Sequence, residues 1–237
     1  TGPSNSEVGY VFPMFETHAV GLNWTREGFS DAELSDALQV FNVAYALQLH
    51  RSISLGLGGK FVLQSIDLDG ESLRSASGAG LDVGLLFNPK TGPLGKVRFG
   101  VTLQDIGGTK VRDDNTQFEE EIFPQNLRVG TAIQPHESLT IALDVDDRIH
   151  GGLEYQPLSA LLLRGGLHRQ LSPPNGASKT LNYALGLGVR WNNIKVDYAY
   201  DHHPVLPATH HASVSLSYNP SLVTVKDALV RPAPVFK

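Results

Sequence analysis

The chain has no cysteine among its 237 residues. That excludes a disulfide framework, cysteine-based zinc sites and thiol catalysis, and it suits passage through an oxidising periplasm. There is no apolar run of about 18 residues, the length a membrane-spanning helix requires. Positive charge is scarce: 19 Lys and Arg stand against 24 Asp and Glu, a net charge of −5. Nucleic-acid binding driven by phosphate contacts needs a basic stripe, so no nucleic-acid partner is expected. No Gly-x-Ser-x-Gly elbow and no Gly-x-x-x-x-Gly-Lys phosphate loop occurs. The opening Thr1-Gly-Pro-Ser-Asn-Ser has neither the charged start nor the apolar run of a secretory leader.

What the chain does have is alternation, the signature of a strand with two different faces. Phe41, Val43, Tyr45, Leu47 and Leu49 alternate with Asn42, Ala44, Ala46, Gln48 and His50. Ile53, Leu55, Leu57, Phe61 and Leu63 share one face of the next segment, and Ser54, Gly56, Gly58 and Lys60 share the other. Leu181, Tyr183, Leu185, Leu187, Val189 and Trp191 alternate with Asn182, Ala184, Gly186, Gly188 and Arg190. The same pattern recurs in segments beginning near Leu127, Leu139 and Ile194. These segments run about 9 to 13 residues, the span of a tilted strand across a bilayer; strands of soluble proteins are nearer 5 or 6 residues. The second face carries Gly, Ala, Ser and Thr with scattered opposite charges such as Arg98, Arg128, Arg164, Asp144, Glu154 and Asp197. Small residues with matched charges suit a confined polar lumen better than a water-exposed exterior.

The links between segments take turns in length. Short links are expected at 13–16, 50–51, 88–95, 135–137, 157–159 and 192–193. More polar and mostly longer links are expected at 27–36, 68–74, 107–124, 146–148, 170–179 and 202–208. Short turns at one end and longer loops at the other are the habit of an outer-membrane barrel. Such a barrel hides its membrane affinity in the alternation, which accounts for a mean hydropathy of only −0.11. Phe12, Trp24, Phe87, Tyr155, Trp191, Tyr200 and Tyr218 fall near segment ends, where interfacial girdles place them; ordinary packing in strands is the alternative. Residues 30–38 could form a helical turn within a loop, from their capping-like start. Pro220, Pro232 and Pro234 make the last stretch an extended tail.

The expected fold is therefore all-β: a transmembrane antiparallel up-and-down β-barrel at the bacterial outer membrane. It occupies residues 1–218, with a proline-rich periplasmic tail at 219–237. About 13 strands are visible, whereas such barrels have an even number with both termini periplasmic. Parity thus calls for one more N-terminal strand.

The order of several phrases resembles the PorV/PorQ family of outer-membrane proteins. They are Phe41-Asn-Val-Ala-Tyr through Gln64-Ser, the small-residue alternation of 77–87, and Phe99-Gly-Val-Thr-Leu-Gln-Asp-Ile-Gly-Gly. Pro124-Gln-Asn-Leu-Arg-Val-Gly, Gly152-Leu-Glu-Tyr, Leu163-Arg-Gly-Gly-Leu and Val196-Asp-Tyr-Ala-Tyr followed by Thr209-His continue it. The resemblance covers residues 7–218. It implies a fold related to fatty-acid transporters with about fourteen strands, in line with the even strand number of single-chain barrels. It also implies a role in holding or shuttling another protein at the outer membrane, as in type IX secretion. The family's N-terminal Gly-Met-Gly-Gly and Asn-Pro-Ala stretches are absent here, which agrees with the parity argument.

Candidate sites follow from charge and ligand type. Arg112, Asp113, Asp114, Asn115, Glu119, Glu120 and Glu121 form the most charged external loop and are the candidate partner-binding residues; a merely solvated loop is the alternative. His202, His203, His210 and His211 could face one another across a loop and bind a transition metal through neutral imidazoles. Asp67, Asp69 and Glu71 lack the ligand number of a calcium loop and read as a tight acidic hairpin. Asp144, Asp146 and Asp147 lie where Arg128 can pair with them, so acid–base catalysis is not expected. No cofactor and no enzymatic activity are expected. The partners expected are outer-membrane lipid and another envelope or surface protein. A transport channel for small hydrophobic molecules is the alternative function, and a soluble β-barrel or sandwich the alternative fold.

Overall fold

The computed structural model describes residues 2–31, 33–89, 92, 95–113, 116, 118–171, 181–202 and 207–217. Fifteen antiparallel strands account for nearly all of them, and no helix occurs among the described residues. The chain divides into two compact units, Thr1–Leu86 with Val101–Leu127, and Phe87–Gly100 with Arg128–Lys237.

In the first unit, β1 (Gly2–Met14), β2 (His18–Ser30), β3 (Leu34–His50), β4 (Ile53–Leu68) and β5 (Glu71–Phe87) lie side by side in chain order. Two short strands, β7 (Thr109–Asp113) and β8 (Glu119–Phe123), form a hairpin whose β7 pairs with β5. Strand β6 (Lys96–Gln104) has residues in both units. In the second unit, β9 (Asn126–His136, whose first two residues belong to the first unit), β10 (Leu139–Val145), β11 (Arg148–Leu158), β12 (Leu161–Gln170), β13 (Leu181–Trp191), β14 (Ile194–His202) and β15 (Thr209–Leu216) again follow chain order. Leaving the β7–β8 hairpin aside, thirteen strands remain, the number expected from the alternation.

Alternation becomes two distinct faces because every second side chain points the same way. Phe41 pairs with Phe61, Tyr45 with Leu57 and Leu47 with Leu55 on one face; Ala44 pairs with Gly58 and Ala46 with Gly56 on the other. The second unit repeats this, with Leu163 beside Leu187, Leu187 beside Tyr198 and Leu185 beside Tyr200. These apolar side chains are exposed: Leu57 by 52%, Leu185 by 57% and Trp191 by 71%. Among the described residues the buried hydrophobic ones number six, Ala37, Val62, Ala76, Val111, Ala132 and Leu162. A soluble protein rarely leaves large contiguous apolar patches in water. A chain with so much exposed apolar surface and so small a core suits hydrocarbon as its solvent.

The first unit corrects several sequence expectations. Strands β3, β4 and β5 run 17, 16 and 17 residues, longer than the span expected. The links expected at 27–36 and 68–74 shrink to residues 31–33 and to the pair Asp69-Gly70. Residues 34–38 are extended strand, not a helical turn. The reason is pairing: Glu27 faces Leu38, Phe29 faces Asp36 and Ser30 faces Ser35, so polar residues continue the ladder past the apolar band. Asp69 and Gly70 both have positive φ, 53° and 80°, as a two-residue hairpin turn of type I′ requires. The expectation of a tight acidic hairpin holds there. The long link at 107–124 is instead organised by β7 and β8. Residues 172–180, most of the loop expected at 170–179, and the tail at 219–237 lie outside the described residues.

Candidate functional site

The β7–β8 hairpin is the main feature placed against the small-residue face of the first unit. Its entry is a sharp bend. Asp105, Gly107 and Gly108 all have positive φ, at 52°, 79° and 78°. The Gly108 N–H donates to the Asp105 carbonyl at 2.8 Å, and the Gly107 N–H donates to Gln125 Oε1 at 2.9 Å. The bend carries β7 directly over β5. A Cβ on Gly78 would stand 2.1 Å from the Lys110 carbonyl oxygen, and one on Gly80 would stand 2.0 Å from Thr109 Oγ1. Glycine is required at 78 because the β7 backbone lies directly over it, and at 80 a side chain would have to displace the Thr109 hydroxyl and the Lys60 stem.

β7 alternates cleanly. Thr109, Val111 and Asp113 are buried, whereas Lys110 and Arg112 are exposed. Val111 packs against Val62 and Ala76, with Leu38, Val40, Ile122 and Phe123 around them. Charged side chains on the outer side place the hairpin in water, beyond the apolar band. Trp24, whose indole N–H donates to Gln39 Oε1 at 3.3 Å, sits where the band gives way to polar residues, the usual place of an interfacial tryptophan.

Beneath the bend lies a buried polar hub. Lys60 Nζ is 2.8 Å from Asp105 Oδ1 and 3.3 Å from Asp82 Oδ1. The Asp105 N–H donates to Asp82 Oδ1 at 2.7 Å, and the Thr109 hydroxyl donates to Asp105 Oδ1 at 2.6 Å. Lys60 Nζ also stands 5.5 Å from the Phe123 ring centre, within reach of a cation–π contact. One ammonium therefore ties β4, β5, the bend and β8 together.

The second unit carries an ion ladder on its own small-residue face. Arg164 Nε donates to Glu154 Oε2 at 2.8 Å, its Nη1 donates to Asp197, and Lys195 Nζ lies 2.9 Å from Asp197 Oδ2. The ladder spans β11 to β14 because Gly186 and Gly188 on β13 leave room for the guanidinium. At one end of the same face, Arg128 Nε donates to Asp146 Oδ2 at 2.8 Å, and the Arg148 N–H donates to Asp146 Oδ1 at 2.8 Å. His150 Nε2 lies 3.1 Å from that same oxygen. Burial pushes the Asp146 carboxyl up, but the Arg148 N–H and the Arg128 guanidinium outweigh it and hold the group below the usual carboxylate range. The aspartate cluster near Arg128 is thus an ion-paired corner, as the sequence suggested.

The charged-loop residues come together in part. Arg112 grips Glu119 across the hairpin, with Nε at 3.1 Å from Oε1, and this holds Glu119 below the usual carboxylate range. Arg74 Nη1 donates to Glu120 Oε2 at 2.7 Å and its Nε lies 3.6 Å from Asp113. Glu121 pairs across the hairpin with Lys110. Asp114 and Asn115 lie outside the described residues. Of the histidines, His202 stacks on Tyr183 at 4.6 Å, and His210 Nδ1 lies 2.6 Å from the Tyr198 hydroxyl. His210 is paired with Tyr200 and His211 with Ala199, so these neighbours project to opposite faces. His203 lies outside the described residues, among which no group of three His, Asp or Glu is placed to hold a metal ion.

Sequence reasoning missed Lys60, Asp82, Asp105 and Thr109. A signal was present: Phe61-Val62-Leu63 breaks strict alternation, as a strand does where both its faces are covered.

No family model and no curated protein matches this chain. Solved structures do resemble it. The CymD monoaromatic hydrocarbon channel matches over 90% of this chain and 84% of its own, at 14% identity and a TM-score of 0.58. The translocator domain of the autotransporter NalP from Neisseria meningitidis matches over 91% and 80%, at 16% identity and 0.42. The siderophore receptor PirA from Pseudomonas aeruginosa matches over 84% of this chain but 45% of its own, at 11% identity and 0.42. The fold is that of the transmembrane β-barrels of the bacterial outer membrane.

Proposed function

We propose that this chain forms a non-enzymatic outer-membrane channel for small apolar or weakly polar molecules. The observation that carries this reading is the small-residue face. It is open where a packed core would be filled: a Cβ on Gly100 would meet nothing within 4 Å, and one on Gly56 would meet a single atom at 3.9 Å. Its well-buried charges are matched, Arg164 with Glu154 and Asp197, and Lys60 with Asp82 and Asp105. Charge-selective pores present rings of one sign; matched pairs present a polar wall without that preference. Likeness to a channel for monoaromatic hydrocarbons supports this solute class by analogy of fold. The test is uptake of a labelled monoaromatic hydrocarbon by lipopolysaccharide-bearing outer-membrane vesicles with and without the chain. Faster entry in loaded vesicles is expected, and equal rates would remove the reading.

A second reading has its own observation. In the first unit the strands continue beyond the apolar band and carry the charged hairpin with them. This platform suits the PorV/PorQ-type role of holding another envelope protein, with Arg112, Glu119, Glu120 and Glu121 in contact. Deleting residues 112–121 should reduce recovery of a co-purifying protein after mild detergent extraction. Undiminished recovery would dismiss the hairpin as the contact.

A further inference from the structure

We propose that the β7–β8 hairpin is a hinged flap on the small-residue face, and that Lys60 is the latch that holds it down. Two features of the geometry make it a flap rather than a fixed part of the wall. Its chain connections are narrow, the bend at Asp105, Gly107 and Gly108 on one side and Pro124-Gln125 on the other, and beyond them it is held by the short pairing of Lys110–Asp113 with Ala76–Ala79 and by Arg74, so the bend is the end that Lys60 secures. Its apolar anchorage is small, centred on Val111 against Val62 and Ala76.

The latch is asymmetric in charge. Lys60 is the cation shared by two carboxylates, Asp82 on β5 and Asp105 on the bend. The side chains of Lys60 and Asp105 are 11% and 10% exposed. With the ammonium present, the bend is drawn onto β4 and β5. Without it, two carboxylates already joined through the Asp105 N–H would face each other in a poorly hydrated place. Like charges so placed repel strongly, and lifting the bend is the motion that separates and rehydrates them. Glycine at 78 and 80 lets the flap seat closely. Under the channel reading, the flap would narrow the path when seated; the flap itself rests on geometry alone.

Because the chain has no cysteine, one introduced thiol reports the motion. Val111→Cys places it at a site with no solvent exposure in the seated flap. The full chain in proteoliposomes would be treated with a water-soluble maleimide, and the labelling rate measured with Lys60 intact and in Lys60→Met. The expected result is labelling at least tenfold faster in Lys60→Met. Folding is checked by the heat-dependent gel mobility of the barrel. Should Lys60→Met not fold, Lys60→Gln, which likewise removes the ammonium and leaves the two carboxylates facing each other, takes its place under the same criterion. Equal labelling rates in a folded variant would overturn the proposal. Faster labelling with unchanged solute entry would keep the flap and count against the channel.

Discussion

Replacing Arg164 with methionine tests whether the small-residue face holds its charges in a poorly hydrated setting. Arg164 is 16% exposed, and its partners Glu154 and Asp197 are 12% and 18% exposed. Methionine keeps much of the stem and removes the guanidinium. Asp197 retains Lys195 at 2.9 Å, so Glu154 bears most of the loss. Two unit charges about 4 Å apart interact by about 1 kcal/mol in bulk water but about 4 kcal/mol at the effective dielectric of a partly buried site. Breaking a buried pair by removing one member costs about 3–5 kcal/mol, since the survivor stays buried and uncompensated. The expected destabilisation of Arg164→Met is therefore about 3–4 kcal/mol, within the range for buried pairs.

The assay is urea unfolding of the barrel in lipid vesicles, followed by gel mobility and by the fluorescence of Trp24 and Trp191. A second substitution gives the control. Glu154→Gln in the Arg164→Met background removes the stranded charge and should recover about half of the loss, because the neutral amide avoids the penalty of an unpaired charge. A loss below about 1 kcal/mol, the value typical of water-exposed pairs, would refute the reasoning. It would mean that the ladder is solvated like a surface and contributes little to the fold.

Three further outcomes are expected. Gly80→Val should cost about 1–3 kcal/mol through overpacking against Thr109, whereas Gly59→Ala, where a Cβ meets nothing within 4 Å, should be neutral or stabilise by up to about 1 kcal/mol; matched urea midpoints for the two would contradict the close crossing of β7. Leu57→Arg, in the apolar band, should cost about 2–4 kcal/mol in a bilayer, whereas Leu73→Arg, beyond the band, should cost about 0–1. Equal costs would misplace the edge of the membrane. Asp146 has its folded pKa below the unfolded value of about 3.9, so its stabilising contribution is complete above about pH 4 and is lost as pH falls through the folded pKa. Asp146→Asn should lower stability at neutral pH and flatten the acid limb of the stability curve. An unchanged acid limb would show that the pairing with Arg128 and Arg148 does not govern it.

Much of the fold was legible because a bilayer imposes a simple rule on a strand. In β13, Leu185, Leu187 and Val189 face hydrocarbon while Gly186 and Gly188 face away, so the alternation survives intact. Arg128 beside Asp146 was likewise readable, since parity puts both on one face of adjacent strands. The rule stops at the edge of the membrane. From Thr25 to Ser30 both faces of β2 meet polar surroundings, hydrophobicity no longer alternates, and a paired strand looks like a loop. The Asp69-Gly70 pair was the better guide there, because a type I′ turn is useful only where two strands run right up to it. β7 offered an alternation too, with Thr109, Val111 and Asp113 against Lys110 and Arg112, but five residues inside an acidic stretch are easily read as solvated loop.

The candidate flap was hidden for a different reason. Lys60, Asp82 and Asp105 lie far apart in the chain, and each alone resembles the scattered polar residues of a lumen. Their meeting depends on where β7 crosses β5, and that crossing is set by glycines that the sequence cannot sort. Gly78 and Gly80 are crowded, with backbone or side-chain atoms about 2 Å from any Cβ, while Gly59, Gly100 and Gly151 face open space. In sequence all five are interruptions of a strand. In three dimensions two of them form the seat of a moving part, because a backbone can lie directly on another only where side chains are missing. The same substitution to alanine therefore has opposite consequences at Gly59 and at Gly78, and that difference in sign follows from the position of the hairpin alone.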